Sequence, residues 1–147
     1  MSYDLMVFDP EAAPPTHDAF MTWYREQTQW KEEHGYNDPA VSAPKLRSWF
    51  EEMIKTFPPM NGPYQSEDVD DPKVSDYSVG RSVIYVAFAW SVAEEAHRSM
   101  RQLAEKHCVG FFDVSAENGE IWTPSASSRV QYMGTASKAE KPWWKFW

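Results

Sequence analysis

Four histidines, one cysteine and several paired acids are the residues of this chain whose types invite chemistry. His107 and Cys108 are neighbours, as a thiol nucleophile and its base would need to be. Adjacent residues on a helix do not face each other. A cysteine at a helix C-terminus also meets the negative end of the helix dipole, which disfavours thiolate. His17, His34, His97 and His107 are dispersed, with no spacing that gathers metal ligands. Asp68-Val69-Asp70-Asp71 opens like a calcium loop but lacks the glycine at its sixth position and the glutamate at its twelfth. Glu32–Glu33, Glu51–Glu52 and Glu94–Glu95 are paired carboxylates. Each pair flanks an apolar helical stripe, where a solvated face is the ordinary reason for acids. The chain has no G-x-S-x-G, Walker lysine loop or G-x-G-x-x-G. The residues therefore predict no catalytic centre, no cofactor and no metal.

The elements that would position a site follow from periodicity. Residues 3–8, YDLMVF, form a short apolar run that reads as a buried strand ended by Asp9-Pro10. Thr16 is placed to cap a helix carrying Phe20, Trp23, Tyr24, Gln27 and Trp30, predicted to end near Gly35. Ser42 is placed to cap a second helix, with Leu46, Trp49, Phe50, Met53, Ile54 and Phe57 at 3.6-residue spacing. Pro58 ends it, because the residue before a proline avoids the helical region. DYSVG and RSVIYVAFAW read as strands, the second apolar enough to be central in a sheet. Ser91 and Glu94 form a capping-box pattern that opens a third helix with Val92, Ala96, Met100, Leu103 and Ala104 on one face. VGFFDVS and EIW are strands joined across Asn118-Gly119, a hairpin signal. The order predicts an α+β fold: a ferredoxin-like βα(α)ββαβ antiparallel sheet with helices on one face, plus a C-terminal hairpin strand. Residues 1–124 read as this single domain. Residues 125–147 read as a Ser/Ala/Lys-rich tail ending in the aromatic cluster Trp143, Trp144, Phe146 and Trp147.

Charge narrows the partners. The chain of 147 residues carries a net −8. Positions 125–147 hold four basic residues against one acid, which leaves −11 on residues 1–124. Such a body repels phosphate backbones and anionic lipid, and attracts a basic protein surface. No run reaches the ~18 apolar residues of a membrane span. The acidic N-terminal stretch lacks the basic start of a secretory signal. A single cysteine fits a reducing cytoplasm.

One stretch stands out beyond its topology. Pro58-Pro59 stops the second helix, and an irregular segment then carries apolar Met60 and Tyr64 before the acids Glu67, Asp68, Asp70, Asp71 and Asp76, opposed by Lys73. These seven apolar and acidic residues are the candidate contact surface; a plain crossover to an edge strand is the alternative. Aromatic residues make up 16% of the chain. Trp23, Trp30, Trp49 and Phe50 could instead line the pocket of a small ligand-binding or enzymatic domain, although stripes at helical spacing are more often core. The aromatic tail could dock into a groove or at a membrane interface.

The segments YDLMVFDP, LRSWFEEMIKTFPPMNGP, DYSVGRSVIYVAFAWSVAEEA and LAEKHCVGFFDVS, within residues 2–124, resemble small acidic bacterial proteins encoded beside secreted polymorphic toxins, including those of type VI secretion and Rhs systems. That resemblance implies an intracellular immunity protein that binds a cognate toxin domain and blocks its active site. It carries over no catalytic residue, since such proteins act by occlusion.

Overall fold

A computed structural model describes residues 2–32, 35–68, 70–116, 119–124 and 130–135. The helix carrying His34 is a sequence expectation that lies partly outside these residues, as do Asn118 of the hairpin turn and the aromatic tail.

The chain begins with β1 (Tyr3–Phe8), whose side chains point alternately to the two faces of a sheet. Leu5 and Val7 join one apolar cluster, and Met6 and Phe8 join another. All four are completely buried, so both faces of the strand must be covered. α1 (His17–Gln27) covers one of them. Thr16 caps it as predicted, its Oγ1 accepting from the Ala19 N–H at 3.4 Å. The helix stops at Gln27, well before Gly35. Thr28 Oγ1 donates back to the Tyr24 carbonyl, and Trp30 takes a left-handed φ of 53°, which turns the chain out of the helix.

α2 (Pro44–Met53) buries Leu46, Trp49, Phe50 and Met53 against the other face. Ser42 does not cap it. Its hydroxyl donates to the Gly80 carbonyl at 2.7 Å and ties the helix entry to the turn between the next two strands. Pro44 supplies the first helical residue instead, where its missing N–H costs nothing. Phe57 lies beyond the helix yet is fully buried.

β2 (Asp76–Val79) and β3 (Val83–Phe88) pair antiparallel, and β3 pairs antiparallel with β1. α3 (Ala93–His107) follows. The chain enters it through a 3-10 turn at Trp90–Val92, so Ser91 lies inside that turn and the predicted capping box does not form. α3 ends at Cys108, a non-glycine residue in the left-handed region with φ 58°. β4 (Gly110–Phe112) returns beside β1, and β5 (Glu120–Pro124) pairs with β4.

The sheet order is β2-β3-β1-β4-β5-β6, antiparallel throughout. The first four strands have the split βαβ order of a ferredoxin-like α+β fold. β6 (Val130–Thr135) was not anticipated; it lies within the stretch read as a tail and pairs with β5 across a register shift at Ile121/Trp122. α2 and α3 share one face, joined by the Trp49 indole N–H donating to the Met100 carbonyl. α1 is the exception to helices on one face. It packs Phe20 on Met6, Phe8, Val83, Phe112 and Ile121 on the opposite side.

Phe8 needs Gly110 opposite it, because a Cβ there would penetrate the phenyl ring. Gly110→Ala is expected to destabilise the fold by about 2 kcal/mol through overpacking, measured as a lower urea midpoint with an unchanged m-value.

Candidate functional site

The double proline does more than end a helix. Pro59 forms a parallel bridge with Ser75. Ser75 N–H donates to the Pro58 carbonyl and Met60 N–H to the Ser75 carbonyl, both at 2.9 Å. Ser66 N–H donates to the Pro59 carbonyl at 2.8 Å, closing residues 59–66 into a compact loop. Gly62 has a φ of +88° and approaches Asn37 so closely that no side chain fits. The outer edge of β2 is thereby closed at both ends, since the Val79 N–H donates to the Tyr36 carbonyl at 2.7 Å.

On this base Met60 is 46% and Tyr64 50% exposed, which are high values for large apolar side chains. Tyr64 leans edge-on against Phe50 at 6.2 Å between ring centroids. Glu67 and Asp68 follow directly on Ser66, and Asp76 on Ser75, so the acids border the same loop. Asp68 Oδ1 accepts from the Asp70 N–H, and Asp71 Oδ1 from the Lys73 N–H, so two of the acids also shape their own turns. Glu67, Asp68, Asp70 and Asp76 are exposed and Asp71 is half-buried. Lys73 is drawn away to Glu95 Oε2 at 2.9 Å, with its ammonium over the Phe57 ring. Among the described residues no cation lies within 4 Å of any of the five acids.

The other chemical candidates separate. His107 Nε2 and Lys106 Nζ both reach the Glu52 carboxylate at 2.9 Å, clamping α3 to α2. Those two hydrogen bonds hold the Glu52 carboxyl below its usual value. Trp49 and Phe50 are buried in one core cluster, while Trp23 and Trp30 pack against the other. Trp49 and Phe50 therefore fill the interior, and Trp23 and Trp30 are half-buried at its margin. Among the described residues no three His, Cys, Asp or Glu side chains are placed to hold a metal ion, and no helix is long and apolar enough to cross a membrane.

Two features escaped the sequence reading. Trp90 is 52% exposed where the 3-10 turn leaves β3, with Tyr3 against it at 5.0 Å between ring centroids. Asp113, just past β4, is buried with Oδ2 3.6 Å from His97 Nε2. The sequence signal for Asp113 is an acid directly after the apolar strand residues GFF. Burial raises the Asp113 carboxyl, and the neighbouring His97 opposes that shift. Burial and the Asp113 charge together push the Tyr3 phenol up to about 12.

A carboxyl raised by folding binds its proton more tightly in the folded state. Its stabilising share is present at acid pH and is lost as pH rises from the ordinary aspartate range through the raised value. Asp113→Asn is therefore expected to gain stability relative to wild type as pH goes from 4 to 7, read as the difference between their melting temperatures. Comparison of the chain with protein-family models, with curated proteins and with solved structures finds no match.

Proposed function

We propose that the chain is an immunity protein, which binds a cognate secreted bacterial toxin domain in the cytoplasm and covers its active site, with no reaction of its own. The observation that carries this reading is the 58–76 loop: exposed Met60 and Tyr64, hydrogen-bonded into the edge of the sheet and bordered by five acids with no cation within 4 Å among the described residues. Apolar groups at the centre of a contact supply slow dissociation, and like charges around them speed encounter with a surface of opposite sign. The net charge of −8 acts in the same direction over longer range. A basic toxin surface suits this arrangement, and carboxylates would occupy the places of phosphates in a cationic cleft. The resemblance of residues 2–124 to proteins encoded beside type VI and Rhs toxins supports the same reading.

This function requires a neighbouring gene for a secreted protein with a toxic C-terminal domain; co-expression with that domain is expected to restore growth, and the two chains should co-elute. Reversing Glu67, Asp68, Asp70 and Asp71 to lysine should slow association at least about tenfold at low salt. Stopped-flow rates across a salt series measure this. Full protection and an unchanged rate in the reversed variant would remove the loop from the contact, and failure of the wild-type chain to bind or protect would remove the function.

A further inference from the structure

Asp113 marks a second site, built from residues outside that loop. It is 8% exposed. Its Oδ1 has no hydrogen-bond partner among the described residues, and its Oδ2 faces His97. An acid so placed is costly unless a cationic or donor group answers it. The Ala116 backbone N–H and the His97 imidazole both answer it, and the imidazole packs edge-on against Phe111 at 5.2 Å, which fixes the plane of the ring. On its other side it lines an open depression of about 430 Å³ with Tyr3, Ala93, Glu94, Arg98 and Arg101.

The wall of this depression departs from the acidity of the rest. Arg98 and Arg101 are exposed, and no carboxylate lies within 4 Å of either among the described residues. Among the described residues Glu94 is the one acid lining the wall, and Arg98 lies four residues further along the helix. The lining residues carry two guanidiniums against the Glu94 carboxylate, with Asp113 set behind the imidazole. The Arg101 guanidinium lies 4.2 Å from the centroid of the Trp122 ring, which restrains the side chain.

We propose that this depression binds an anionic group, phosphate or carboxylate, carried on a flat ring. Arg98 and Arg101 meet the anion, since the guanidinium fork matches both oxyanions. His97 lies on the same wall, its Nε2 3.6 Å from Asp113 Oδ2. Tyr3 supplies the ring face. The titratable and charged groups around the imidazole are Glu94, Arg98 and Arg101 from α3, Tyr3 from β1, Asp113 after β4 and Glu120 from β5. The site is independent of the toxin-facing loop, and its test needs no toxin.

The probes are phenyl phosphate, benzoate and inorganic phosphate, titrated into the full chain with amide and imidazole NMR shifts as the readout. The aryl anions are expected to move the signals of Tyr3, Glu94, His97, Arg98 and Arg101 at millimolar concentration. Arg98→Ala with Arg101→Ala should weaken binding at least about tenfold while the melting temperature stays unchanged. Should that variant melt early, Arg98→Gln and Arg101→Gln tested singly are each expected to weaken binding about threefold. Shifts reproduced by sodium chloride at equal ionic strength, or affinity unchanged in the arginine variants, would overturn the site. Inorganic phosphate binding as tightly as phenyl phosphate would overturn the role of Tyr3. Preference for phenyl phosphate over benzoate, or the reverse, identifies which oxyanion the site takes.

Discussion

The burial of β1 on both faces is the constraint from which the rest of the structure follows. Leu5, Met6, Val7 and Phe8 are all inaccessible to solvent, and they project alternately. Burying each such side chain is worth about 2 kcal/mol, so leaving one face open would forfeit several. α2 and α3 cover Leu5 and Val7, as a ferredoxin-like arrangement requires. The extra helix α1 exists in this chain to cover Met6 and Phe8. Gly110 then has to be a glycine, because the Phe8 ring occupies the space its side chain would take.

With both faces of the central strands occupied, the sheet offers its ends and edges to the outside. Tyr3 pairs with Phe88, Asp76 with Ala87, and Asp113 follows Phe112, so the start of β1, the start of β2 and the ends of β3 and β4 gather at one end. Trp90 and the first turns of α3 sit there too, and Lys73 bridges to Glu95 across the gap. The polar groups of this end follow from topology: strands need not be apolar where they leave the layer between helices. One sheet end thus carries both the entry to the acidic loop and the His97–Asp113 pair.

The fold was legible where a single period ran unbroken. Leu46, Trp49, Phe50 and Met53 announce α2, and the continuous apolar run of β3 announces a central strand. YDLMVF is apolar at consecutive positions, so both faces of β1 need cover, which a single helical layer does not supply. Ser42 misled because its hydroxyl donates to the Gly80 carbonyl rather than accepting from the helix start, and Ser91 because it lies within the 3-10 turn before α3. β6 was hidden by its Ser/Ala-rich surroundings, since an edge strand is specified by its neighbour more than by its own residues. For the candidate loop, the sequence disclosed the residues but not the Pro59–Ser75 bridge that holds them, which joins positions far apart in the chain. His97 and Asp113 were illegible for the same reason: nothing local says that they meet.

The bridge at Ser75 has a mechanical side. Its N–H and C=O bond to Pro58 and Met60, which run parallel to the start of β2. A tug on the 59–66 tip along the strand direction loads both bonds together, in shear, and passes the strain into the β2–β3 ladder. A tug at right angles would open them one after another, like a zip. The tip is consequently stiffest against sideways drag across the surface of the molecule and yields first to being lifted straight off it.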